Sequence, residues 1–174
     1  MATRVTRPLR MDDAAELATV LRTEREFMAP WEPLRDEEFY TVSGQEARVR
    51  LLLQDHEQGR ALPWVIVDDV GAAVGQATLS GIVRGPFLSA DLGYWVRQSC
   101  NGRGFATRAV GEALDVAFGE LGLHRVQAGT LPHNAASQRV LAKNGFVQYG
   151  FAPRYLCIAG GWQDHVLYQR LSDE

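Results

Sequence analysis

"QSCNGRGFATRAV" (residues 98–110) sets two glycines and two arginines between an aromatic run and a helical pattern. Glycine lets another group approach the backbone closely, and the start of a helix offers unpaired amides and partial positive charge. A phosphate group satisfies both. Before this loop, "LPWVIVDDVGAAVGQATLSGIV" (residues 62–83) holds two β-rich runs around Asp-Asp-Val-Gly, an antiparallel hairpin signal, and "ADLGYWV" (residues 90–96) is a third run. After it, Val110, Ala113, Leu114, Ala117, Phe118 and Leu121 keep a 3.6-residue period, predicting a helix.

"HRVQAGT" (residues 124–130) then reads as a strand and "NAASQRVLAKNG" (residues 134–145) as a short helix, capped by Asn134 and stopped by Gly145. "FVQYGFAPRYLCIAGG" and "WQDHVLYQRL" (residues 146–171) form a closing hairpin around Gly160 and Gly161. Nearer the start, "TRVTRPLRM" (residues 3–11) predicts an opening strand. "DDAAELATVLR" (residues 12–22) predicts a helix with Asp12 and Asp13 as caps and Ala14, Leu17, Ala18 and Leu21 on one face. Pro30 and Pro33 break the following segment into a loop that carries an aromatic, and Ser43 with Glu46 offers a capping box for a helix to about Gln58. Strands that meander and later alternate with helices predict an α/β fold with one mixed sheet. No repeat or linker interrupts the sequence, so one domain is expected over residues 1–174.

Hydrophobic residues make up 46% and charged residues 22% of the 174, a globular composition with ample core. The net charge of -3 excludes non-specific nucleic-acid binding, which needs a basic footprint, although a protein bound to nucleic acid remains an eligible partner. No apolar run approaches the roughly 20 residues that span a bilayer, and the N-terminus lacks a secretory apolar core. Cys100 and Cys157 suggest neither a disulfide framework nor a zinc cage, so no metal is expected and the cytoplasm is the expected compartment.

Other phosphate loops fit poorly. No Lys follows the glycines as a Walker loop requires, and Thr107 stands where a dinucleotide fingerprint has its third glycine. Asn101-Gly102-Arg103-Gly104-Phe105-Ala106 instead resembles the Q/R-x-x-G-x-G/A signature of the GCN5-related N-acetyltransferases (GNAT), with Asn101 in place of Gln or Arg. "TLPHNAASQRVLAKNGF" (residues 130–146) resembles that family's later N-x-x-S and Gly-Phe motif. "MAPWEPLRDEEF" (residues 28–39), "GIVRGPF" (residues 81–87) and "YLCIAGGWQDHV" (residues 155–166) look like the ribosomal-protein-alanine N-acetyltransferases of RimJ/RimL type. The resemblance runs from about Arg7 to Leu171.

It implies a GNAT fold: a mostly antiparallel central sheet flanked by helices and splayed where acetyl-CoA, the cosubstrate, binds. It assigns Asn101, Gly102, Arg103, Gly104, Phe105 and Ala106 to the pyrophosphate, and the backbone of Trp95 and Val96 to the pantetheine arm and thioester. The Trp95 side chain fits sheet core equally well. The tyrosine that many relatives use as acid falls on Leu141, and the resemblance to RimJ/RimL-type enzymes implies that Ser137 of N-x-x-S is the partner of the departing sulfur, with local support for a helix start as the alternative. Asn134 caps that helix, contacts coenzyme A, or does both.

No side chain declares itself a base. Glu32, Asp91, Asp164 and His165 are eligible, and Asp164 and His165 also read as a mutually paired couple. The substrate wall is expected from Trp31 and Glu32 together with Tyr155, Trp162 and Asp164, the aromatics reading as core packing otherwise. The implied partners are acetyl-CoA and a protein N-terminus, such as that of a ribosomal protein, or else a small amine such as an antibiotic or polyamine. A non-catalytic acyl-CoA sensor is the rival class. Monomer and homodimer both fit.

Overall fold

The computed structural model describes residues 4–173. Seven strands form one sheet in the order β1-β2-β3-β4-β5-β7-β6. In chain order the elements are β1 (Thr6–Pro8), α1 (Ala14–Met28), α2 (Val42–Glu57), β2 (Leu62–Val67), β3 (Ala73–Val83), β4 (Ser89–Val96), α3 (Phe105–Asp115), β5 (Arg125–Thr130), α4 (Ala135–Lys143), β6 (Val147–Ile158) and β7 (Gly161–Leu171). All neighbouring strands are antiparallel except β4 and β5. The expected mixed, mostly antiparallel sheet is what the chain forms. Thr3, where the opening strand was expected to begin, lies outside the described residues.

Strand alternation explains why helices cover both faces. On β2, Trp64 and Ile66 enter the larger core with Val110, Leu114 and Leu141, while Val65 faces Leu17 and Val49 on the other side. The α1 face expected from its spacing is inside: Ala14, Leu17, Ala18 and Leu21 are all buried. The same stripe runs past Arg22 to Glu24 and Met28, because Pro30 stops the helix only one turn later. Among the described residues no helix is long and apolar enough to cross a membrane.

Local details differ from the sequence reading in three places. Helix α2 is capped by Thr41, whose hydroxyl accepts from the Gly44 amide at 3.0 Å. Thr41 is the last extended residue, so Ser43 already lies in the first turn. Asp13 does not cap α1. Its carboxylate accepts from the Arg10 amide at 2.8 Å and pairs with Arg7 at 2.7 Å, closing the short 3-10 turn Met11–Asp13 that precedes α1. The helical pattern after α3 relaxes to π geometry over Val116–Glu120, where the Leu121 amide reaches back to the Val116 carbonyl at 2.9 Å. The wider turn keeps Val116 and Ala117 buried on the core side.

The sheet opens at its centre. β4 and β5 pair only through Ser89–Arg125, Ala90–Val126 and Asp91–Gln127. Beyond that point β4 stays with β3 and β5 stays with β7, so the two strands part between residue 92 and residue 96.

Candidate active site

The opening between β4 and β5 creates a free strand edge. Arg97 donates its amide to the Val74 carbonyl at 2.8 Å, and the two-residue period of the strand then turns the amides of Tyr94 and Val96 toward the opening. Trp95, paired with Gln76, has its amide in the β3 ladder. Val96 therefore meets the expectation of an available amide. Trp95 does not, and its indole packs toward α1 and α2.

A cleft of about 450 Å3 runs along this edge. Asn101, Gly102, Gly104, Phe105 and Ala106 line it, with Val96 and Thr107. Gly104 is the N-cap of α3 at φ 84°, ψ 1°, and Gly102 sits at φ 73°. Both conformations are left-handed, which is why glycine stands at each. The first amides of α3 have no carbonyl a turn behind them, so they are available to an anion. Arg103 lines neither this cleft nor the second cavity described below, and its guanidinium stacks 5.3 Å from the Phe105 ring centre, which leaves its backbone amide as its means of contact. Arg139 and Lys143, one helical turn apart on α4, line the cleft instead. Neither residue stands out in the sequence, although their i, i+4 spacing places them on one face of the helix.

The loop is held from α1. Glu24, 6% exposed, accepts from the Gln98 amide at 2.8 Å and lies 3.5 Å from the Arg97 guanidinium. A carboxylate falling on the buried stripe with Leu17, Leu21 and Met28 was the readable sign of this role. Glu24→Ala is expected to lower stability by about 1–3 kcal/mol, because the Gln98 amide loses its acceptor and Arg97 its ion-pair partner. Coenzyme A affinity should fall with it, as a melting curve and a calorimetric titration would register. Unchanged values of both would remove Glu24 from this role.

A second cavity, of about 400 Å3, opens on the α1 and α2 side of the sheet. It shares Met28, Trp31, Tyr94, Trp95, Asn134 and Ser137 with the first, so the two meet at the parted strands. At the junction the Tyr94 and Ser137 hydroxyls are 2.8 Å apart. The Ser137 amide, by contrast, is capped by the Asn134 side chain at 3.1 Å. Capping is thus Asn134's task, and the Ser137 hydroxyl is engaged with Tyr94. Burial pushes the Tyr94 phenol up to about 12, against the opposing pull of the Ser137 hydrogen bond. Tyr94 was missed in the sequence, where it reads as one more aromatic in a strand.

The expected substrate wall divides. Trp31 and Glu32 line the second cavity, Trp31 beside the His133 ring with 5.4 Å between centres. Glu32 lies 3.8 Å from Arg35, and burial pushes its carboxyl up while Arg35 and Arg48 draw it down. Tyr155, Trp162 and Asp164 line neither cavity. Trp162 is 67% exposed, and Asp164 accepts from the Arg154 amide at 2.8 Å on the outer face of the hairpin. Asp164 and His165 do not pair, because adjacent strand residues face opposite sides. His165 is buried and lines the second cavity, whereas Asp91 lines neither. Leu141 is fully buried in the core, so its position offers no acid to either cavity.

The acetyltransferase (GNAT) domain family matches residues 5–147. A curated relative, ribosomal protein uS5-alanine N-acetyltransferase of Escherichia coli (strain K12), is 38% identical over 156 residues, covering 89% of this chain and 80% of its own. The crystal structure of ribosomal-protein-S5-alanine acetyltransferase from Vibrio fischeri superposes with a TM-score of 0.92 at 35% identity, over 97% of this chain and 93% of that one. RimJ of Mycobacterium smegmatis in complex with CoA-disulfide gives a TM-score of 0.92 at 36% identity, over 96% and 81% of the two chains.

Proposed function

This chain belongs to the GNAT acetyltransferase family and is an acetyl-CoA-dependent N-acetyltransferase; on that premise we propose that it acetylates the α-amine at the N-terminus of a ribosomal protein. The observation that carries this reading is the meeting of two cavities at Tyr94, Asn134 and Ser137, one beside the glycine loop and one open to an acceptor. The names of the relatives from Escherichia coli and Vibrio fischeri support the acceptor class.

In the proposed reaction the pyrophosphate rests on the amides around Gly102 and Gly104, near Arg139 and Lys143. The thioester lies along the free edge of β4, where the Val96 amide donates to its carbonyl oxygen. The neutral amine attacks the carbonyl carbon, the C–N bond forms, and charge gathers on the oxygen. Collapse breaks the C–S bond. Ser137 gives its proton to the departing thiolate as it takes one from Tyr94, and water carries the proton shed by the new amide back to the Tyr94 oxygen. Attack is direct, with no acyl-enzyme.

The acceptor's own ionisation decides which amine reacts. An α-amine, with a pKa of about 7.7–8.0, is roughly one-tenth neutral near pH 7, whereas Lys at about 10.4 is neutral in a few parts per ten thousand. Peptides with a free N-terminus are therefore expected to be acetylated with internal Lys largely spared, and kcat/KM should climb with pH until about 8. Mass spectrometry of peptides and small amines incubated with acetyl-CoA tests this. Efficient labelling of Lys in N-terminally blocked peptides would overturn it, and turnover of polyamines alone would favour a small-amine acceptor.

A further inference from the structure

Strand β3 carries Gln76, Thr78 and Ser80 at every second position, and all three line the acceptor cavity. Polar residues on a face that packs under α1 and α2 need partners or a purpose. Gln76 has half of what it needs. It is 3% exposed, and Arg48 donates to its Oε1 at 3.1 Å. A guanidinium only donates, so this contact fixes the amide's orientation and leaves Nε2 as the other end. Nε2 is buried with no partner among the described residues. Across the cavity on β5, Thr130 is 4% exposed and its hydroxyl is likewise without a partner.

The charges around these groups have the same character. Glu32 is ion-paired with Arg35, and Arg48 lies between Gln76 and the Phe39 ring, 5.8 Å from its centre. Beside the Glu32 carboxylate, which Arg35 offsets, the wall thus presents Arg35, Arg48, Gln76 Nε2 and the Thr130 hydroxyl, each able to donate to an oxygen. An amine by itself offers none, and a polyamine brings further positive charge toward two guanidiniums.

We propose that Gln76, held by Arg48, receives the carbonyl oxygen next to the acceptor amine, so that the enzyme selects amines bearing an α-carbonyl. This rests on the N-terminal acceptor reading and deepens it. In an N-terminal residue the carbonyl oxygen lies about 3 Å from the amine nitrogen, by ordinary bond lengths. Gln76 pairs with Trp95, next in the chain to Tyr94, so the same short unit spans the distance from the junction to the wall. Gln76 is a specificity residue that touches the acceptor and takes no part in the proton transfers.

Steady-state kinetics with an alanyl peptide, free alanine, ethylamine and spermidine, on the parent and on Gln76→Leu and Gln76→Glu, test the proposal. The parent should prefer the peptide over ethylamine by at least about a hundredfold. Gln76→Leu should lower kcat/KM for the peptide by about ten- to a hundredfold, with ethylamine turnover and the KM for acetyl-CoA within about twofold of the parent. Its melting temperature should change little, because removing the unpartnered Nε2 offsets leaving Arg48 without its Gln76 acceptor. Gln76→Glu, polar and similar in size, should lose the peptide preference as well, since its carboxylate takes Arg48 and repels the carbonyl. Free alanine accepted as well as the peptide identifies a carboxylate as an equally good oxygen source. Equal losses with peptide and ethylamine, or peptide kinetics unchanged in both variants, overturn the role of Gln76. A parent that acetylates spermidine and no peptide overturns the N-terminal reading itself, a distinct outcome.

Discussion

Ser137→Ala is expected to lower kcat by about tenfold to a thousandfold, the range for losing a proton donor or hydrogen bond that matters in the transition state. Coenzyme A affinity and melting temperature should stay near those of the parent, because the hydroxyl is engaged with Tyr94 and the helix is capped through Asn134. Asn134→Ala should instead cost about 1 kcal/mol of stability. Tyr94→Phe should slow the same step as Ser137→Ala, and the double variant should be little slower than Ser137→Ala alone, since the two hydroxyls act as a unit. With its phenol raised to about 12, Tyr94 stays protonated as the acceptor amine titrates, so the pH profile should show only the amine's rising limb. Single-turnover measurements are the decisive reading, as product release cannot then mask a chemical defect. A parental chemical rate in Ser137→Ala would remove this residue from the mechanism and leave thiolate protonation to water or to the acceptor's own proton.

Gly104→Val is expected to weaken coenzyme A binding by at least about a hundredfold, equivalent to losing two hydrogen bonds to a charged group at about 1.5–3 kcal/mol each. Two effects contribute. At φ 84° a β-branched residue is strained, so the turn into α3 shifts and the amides lose their aim. A side chain there also stands in the path of the phosphate: among the described residues nothing beyond its neighbours in the chain lies within 4 Å of a Cβ at this position, which borders the cleft. Gly104→Asn separates the two effects, since Asn tolerates the left-handed conformation while still adding bulk. Calorimetric titration beside a melting curve should show a stable Asn variant with weakened binding. Full affinity in a folded Val variant would mean that the loop does not hold the phosphates through its backbone.

Much of this protein was legible because the deciding forces are local. The glycine pair, the Asn134 cap, the Gly145 stop and the hairpin at Gly160 follow from backbone conformations that few residues adopt, so a short window of sequence settles each. The order of strands and helices followed from hydrophobic period, and the motifs around residues 98–110 and 130–146 were enough to identify the family. The cap of α2 lies two residues before Ser43, at Thr41, and Asp13 holds the N-cap position of α1 while its carboxylate bonds Arg7 and the Arg10 amide instead of the helix.

The pairings that build the site were not legible. Tyr94 and Ser137 are 43 residues apart, and Gln98 is 74 from Glu24. Strand alternation says that Gln76, Thr78 and Ser80 share a face, but not that the face borders a cavity. Nor does alternation say that Asp164, Tyr155 and Trp162 line neither cavity, with Tyr155 set 5.5 Å from the ring of His165, which does. Which face of the last hairpin turns inward depends on its register, and that register shifts between Ala152 and Leu156. The elements, their order and the glycine loop are written in short windows of the chain, because each rests on torsions and periodicity within a few residues. Which hydroxyls meet, which amides the parted strands leave free and which polar groups stay unpartnered emerge on folding, because those depend on distances between segments that no local preference encodes.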